Sequence, residues 1–165
     1  MTSRRSLALA GLVLPLVALT LAAGPLAAAP PRQTLVIVTQ KNAALFDIAL
    51  RDLKHLYTGE QVDGPAGMAL IPLNHPPRAA ARVAFDRLVL NMNADEIGRF
   101  WIDRKIRGQT GAPRAVPSIE LLRRVVATLP GTLTYLDAND VTAELKVLRI
   151  DGRTPSDPGY PLHAE

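Results

Sequence analysis

The sequence predicts an α/β fold, a small mixed sheet of about four strands flanked by helices. Four short runs of aliphatic and β-branched residues lie around Leu35–Val38, Ala69–Leu73, Leu133–Leu136 and Leu145–Leu148, with helical periodicity between them. The first run is apolar at every position, the pattern of a strand covered on both faces. Glycine and proline clusters separate the elements, and no internal repeat or low-complexity segment interrupts them.

Residues 1–29 read as a signal peptide. Arg4 and Arg5 form a positive start, Leu7 to Leu21 an apolar stretch, and Ala27-Ala28-Ala29 a small-residue cleavage site. Pro15, Gly24 and Pro25 break the segment below the ~20 unbroken apolar residues of a spanning helix. The expectation is a periplasmic protein with no membrane anchor after cleavage. No cysteine follows the apolar stretch, which excludes a lipoprotein.

Cleavage at Ala29 leaves about 136 of the 165 residues, one ordinary domain. It also removes two arginines from a formal charge of +4, and no basic run remains of the kind that binds nucleic acid. Without cysteine the domain is held by its core alone, and thiolate metal sites and cysteine nucleophiles are excluded.

The domain is expected over residues 30–150. After the first strand, Ile48, Leu53, Leu56 and Tyr57 mark a helix that stops at Gly59. A loop leads to the strand at Ala69–Leu73 and the turn Asn74-His75-Pro76-Pro77. Ala81, Ala84, Phe85, Leu88 and Met92 then recur at helical spacing, with Arg78, Arg82 and Asp86 on the opposite face. Asn93 with Glu96 predicts a capping box for the next helix, whose Ile97, Phe100 and Trp101 form an apolar face, with Trp101 expected in the core. Ser118 caps a helix carrying Ile119, Leu122, Val125, Val126 and Leu129. Pro130-Gly131 ends it, the strand at Leu133–Leu136 follows, and Asp137 to Val141 makes a helical turn before the last strand. Residues 151–165, with three prolines and two glycines, are expected to form a flexible tail.

Catalytic patterns are missing from the sequence. His55, His75 and His163 have no metal-ligand spacing, and no cofactor is expected. Ser118 and Ser156, the serines after residue 29, lie outside any nucleophile elbow, and no phosphate-binding glycine loop occurs. The candidate ligand site is the turn and helix start after β-strand residue Leu73: Asn74, His75, Arg78, Ala79 and Arg82. A strand–turn–helix start can hold an anion on backbone N–H groups, aided by guanidinium. The competing reading is a solvated helix face with Arg82 paired to Asp86 one turn on.

Several stretches resemble the phosphate-binding proteins of ABC transporters, which have the type 2 periplasmic-binding fold. They are Leu53 to Gly59, similar to that family's L-x-x-I-F-x-G; Ile71-Pro72-Leu73-Asn74; Ala84-Phe85; Phe100-Trp101; Pro130 to Tyr135, similar to P-G-A-I-G-Y; and Leu145 to Leu148, similar to V-K-V-L. Their order spans about Leu35 to Leu148. The resemblance implies a single lobe of that fold, non-enzymatic, with phosphate or another small oxyanion as ligand and an ABC transporter or another envelope protein as partner. The family binds phosphate with an Arg followed by Ser-Gly-Thr at a helix start. Here His75 stands at the Arg position, Ala79-Ala80-Ala81 replaces Ser-Gly-Thr, and Arg82 fits the Arg that follows. The alternative function is a protein-interaction module that kept the lobe and lost the ligand.

Overall fold

The computed structural model describes residues 33–109 and 111–164, so the expected signal peptide lies outside the described residues. In chain order the elements begin with β1 (Gln33–Gln40), β2 (Asp47–Ile48) and α1 (Leu50–Tyr57). Next come β3 (Ile71–Asn74), α2 (Ala80–Phe85), α3 (Ala94–Ile106) and β4 (Arg114–Ala115). The chain continues through α4 (Ile119–Thr128), β5 (Thr132–Asp137), β6 (Leu145–Val147), β7 (Arg149–Ile150) and β8 (His163–Ala164).

The main sheet runs β4-β3-β5-β1-β6, with β8 also paired to β1. β3 lies parallel to β4 and β5, whereas β1 is antiparallel to β5, β6 and β8, so the sheet is mixed. All four predicted strands are present. The two additional strands, β4 and β8, are two residues long, too short for periodicity to reveal them. A parallel pair of β2 and β7 stands apart from this sheet.

Alternation along β1 explains its unbroken apolar run. Leu35 and Ile37 enter a core shared with Leu53, Tyr57, Phe85 and Tyr135 under α1 and α2. Val36 and Val38 enter a second core with Leu73, Leu122, Val126 and Leu136 under α4. Both faces of the sheet are therefore covered, and each odd or even register position needs an apolar side chain.

Local signals fix the helix starts. The Asn93 side chain accepts the N–H groups of Asp95 and Glu96 at 3.0 Å, and Asn93 N–H donates to Glu96 Oε2 at 2.7 Å, completing the predicted capping box. The Leu121 N–H donates to Ser118 Oγ at 3.2 Å. Gly59 follows α1 with φ +86, the left-handed position expected of it. Asp137 accepts the Asn139 N–H at 2.9 Å and so caps the short turn after β5.

Two expectations are corrected. Residues 151–164 of the expected tail are not loose: Tyr160 and Leu162 are buried in the first core, Leu35 N–H donates to Leu162 O at 2.9 Å, and β8 pairs with β1. The prolines and glycines make turns that return the segment to the sheet, tied by Asp157, which accepts Thr154 N–H at 2.7 Å. Leu162→Ala is expected to cost about 2–3 kcal/mol in a urea melt, because the segment can relax partly into the gap. Trp101 is the second correction. It is half-buried at the rim of the first core, edge-on to Phe100 at 5.0 Å, and not sandwiched between helix and sheet. α3 buries only Ile97, leaving Ile102 and Ile106 exposed.

Candidate functional site

β3 delivers Asn74 and His75 to the top of the sheet, and both side chains turn inward. The Tyr135 hydroxyl donates to Asn74 Oδ1 in a short contact. His75 Nε2 lies 2.7 Å from the Tyr135 main-chain oxygen, which can only accept, so this nitrogen carries the proton. Its ring lies 4.9 Å from that of Tyr135, and Phe85 stacks on the Tyr135 ring at 3.9 Å. The Leu73 oxygen accepts from both Tyr57 and Thr134 hydroxyls at 3.0 Å. Burial pushes the Tyr57 and Tyr135 phenols well above their ordinary range, so they remain donors.

Burial also lowers the His75 pKa below its ordinary 6.5, assisted by the Arg82 charge and opposed by the bond to the Tyr135 carbonyl and by Asp140. The sign follows directly. The unfolded chain takes up a proton more readily than the folded one, so this contribution to stability is present above the ordinary value and lost as pH falls through it. The urea midpoint should drop between about pH 7.5 and about pH 5.5, and His75→Asn should flatten that drop. An unchanged pH profile in the variant would assign the effect elsewhere.

Arg82 is as buried as His75. Its Nε lies 2.8 and 2.7 Å from the two carboxylate oxygens of Asp86, which is itself buried. The pairing anticipated as the competing reading is present, and it is interior, not solvated. α2 is short because the helix widens into a π-helical turn over Asp86–Leu90, closed by Asn91 in the left-handed region at φ 56. Beside the ion pair lies a cleft of about 50 Å³, lined by Pro77, Met92 and Ile97 among others, with room for one or two water molecules.

Arg78 and Ala79 have a different setting. Arg78 is exposed on the turn, and Ala79 is the N-cap of α2 with no side-chain cap. The Ala79 carbonyl accepts from Val83 at 3.1 Å, so the amides of the first helical turn lack intrahelical acceptors. Of the five candidates, the structure thus leaves Arg78 and Ala79 outward and holds Asn74, His75 and Arg82 in internal bonds. No group of three potential metal-ligating side chains occurs among the described residues.

A feature the sequence reading missed is a groove of about 700 Å³ between the β3–β4 edge, the end of α1 and the outer face of α4. Leu121 and Val125 of α4 and its C-cap Leu129 line the groove, whereas the helical spacing of Ile119, Leu122, Val125, Val126 and Leu129 marks one apolar repeat that leaves Leu121 out. Leu122 and Val126 take the core, while Leu121 and Leu129 remain exposed.

The mixed sheet covered on both faces, with a strand–turn–helix at its top, defines one lobe of a type 2 periplasmic-binding fold. No family model and no curated protein matches the chain. Solved structures do. An ABC-type phosphate transport receptor from Vibrio cholerae matches with TM-score 0.60 and 14% identity, over 76% of this chain and 49% of that one. A putative phosphate ABC transporter substrate-binding protein with bound phosphate from Clostridium perfringens gives 0.61 and 17%, over 75% and 47%. PstS from Borrelia burgdorferi gives 0.61 and 16%, over 80% and 55%. The chain spans about half the length of these binding proteins. No helix among the described residues is long and apolar enough to cross a membrane.

Proposed function

We propose that this chain is an exported, periplasmic, non-enzymatic binding lobe that takes phosphate or another small oxyanion weakly at the start of α2. The observation that carries this reading is the strand–turn–helix start from β3 to α2 with Arg78 exposed beside it, and the buried Arg82–Asp86 pair, in which the chain's own carboxylate occupies the guanidinium, limits it to weak binding. An incoming anion then meets only exposed Arg78 and the amides of Ala80 and Ala81, since the Ala79 N–H already donates to Pro76 O at 3.0 Å. Such a site binds in the millimolar range, about −4 kcal/mol, and is strongly screened by salt. Its partner in the envelope would be an ABC transporter or another envelope protein, in keeping with the kind of receptor this fold resembles.

Isothermal titration with phosphate at low salt tests the reading. Arg78→Ala should abolish the heat, and Ala79-Ala80-Ala81→Ser-Gly-Thr should strengthen binding by supplying hydroxyl donors. Tight, salt-insensitive binding by the natural chain would overturn it. The second reading, an interaction module that lost its ligand, is favoured by the inward bonding of Asn74, His75 and Arg82. Absence of phosphate binding in both the natural and the Ser-Gly-Thr chains would select it.

A further inference from the structure

We propose that the groove beside α4 is a separate binding site for an amphiphilic monocarboxylate, an aliphatic chain ending in one carboxylate. Its volume, about 700 Å³, falls within the range of sites that enclose small organic ligands. The walls are apolar and built from different elements: Leu121 and Val125 of α4 with its C-cap Leu129 on one side, Ile71 of β3 on another. Ile71, Leu121 and Leu129 are 45%, 41% and 50% exposed, a concentration of aliphatic surface that the two cores do not use. Pro72, Pro113 and Pro117 also line it, so much of the wall has fixed backbone φ and needs little ordering on binding.

Charge selects the head group. The charged side chains of the lining are Arg114 and Glu60. Glu60 lies 3.4 Å from His55 Nδ1 on the exposed rim, and the Arg114 guanidinium has no ion-pair partner among the described residues. A guanidinium matches a carboxylate through two parallel N–H···O bonds. Arg114, the cation of the described lining, balances a single negative charge, and Glu60 repels a head group carrying more. An aliphatic tail along α4 with its carboxylate at Arg114 satisfies both features of the groove. This site is distinct from the α2 start and does not rest on the phosphate reading.

Decanoate, held below its micelle concentration, is the probe, with decanol and decyltrimethylammonium as uncharged and cationic comparators. Calorimetry of the purified protein should show saturable one-to-one binding of decanoate, at least about tenfold tighter than either comparator. Arg114→Gln should weaken decanoate about tenfold and leave decanol unchanged. Leu121→Glu, on an exposed position, should abolish decanoate binding without lowering the melting temperature. Phosphate should not displace decanoate. Absence of saturable decanoate binding, equal affinity for decanol, or wild-type binding in both variants would overturn the proposal, as would competition by phosphate.

Discussion

Asp86→Ala should destabilise the protein by about 3–5 kcal/mol, because it leaves the Arg82 guanidinium buried without a counter-charge. Both Nε contacts of Arg82 end on this one carboxylate, and both side chains are more than nine-tenths buried. The pair itself adds little net stability. Burial raises the Asp86 pKa above the ordinary carboxylate value, and Arg82 opposes that shift without cancelling it. Because the folded-state value is the higher one, this group favours the fold most below the ordinary carboxylate pKa and loses that contribution as pH rises through the folded value. Two consequences separate the pair from an ordinary stabilising bridge. Asp86→Asn, which keeps an acceptor and loses the charge, should fall between wild type and Asp86→Ala in a urea melt. Replacing both partners with apolar residues, Arg82→Met with Asp86→Leu, should recover most of the loss, since neither charge then has to be desolvated. A double variant as unstable as Asp86→Ala would contradict this account of the pair.

Phe85→Ala should have a comparable effect, about 3–5 kcal/mol. Phe85 is fully buried, stacks on Tyr135 at 3.9 Å and touches Tyr57 at 4.5 Å between ring centres. Its removal opens a void beneath the turn that carries Asn74 and His75, so the loss has a local signature as well. Tyr135 would no longer be held in register for its bond to Asn74. Hydrogen exchange should therefore speed up at Asn74 and His75 more than in α4, which packs on the other face of the sheet. Uniform acceleration across both faces would mean that the two cores open as one.

Much of the fold was legible in the sequence because it is written locally. The β1 run, the Asn93–Glu96 box, the Ser118 cap and the Gly59 stop each depend on residues within a few positions. What depends on distant residues was not. Tyr160 and Leu162 look isolated among prolines and glycines, and their burial requires the edge of β1, which lies far away in sequence. The site shows the same division. The i,i+4 spacing of Arg82 and Asp86 announces a pair, but its burial follows from the π-helical turn and the packing of Met92 and Ile97 around it. His75 and Asn74 appear available in a turn sequence, and it is Tyr135, sixty residues on, that takes both. The α4 groove was hidden because helical periodicity marks apolar positions without saying which of two apolar faces meets the core.

On the proposed reading, an anion is held by Arg78 and the amides of Ala80 and Ala81 at the start of α2, because Arg82 is already paired with Asp86. Amide chemical-shift mapping by NMR during a phosphate titration at low salt tests it most directly. The shifts should be confined to Arg78 through Arg82, saturate in the millimolar range and be suppressed by physiological salt. Shifts that saturate at micromolar phosphate, persist in salt and extend to Asn74, His75 and the Asp86 turn would contradict it.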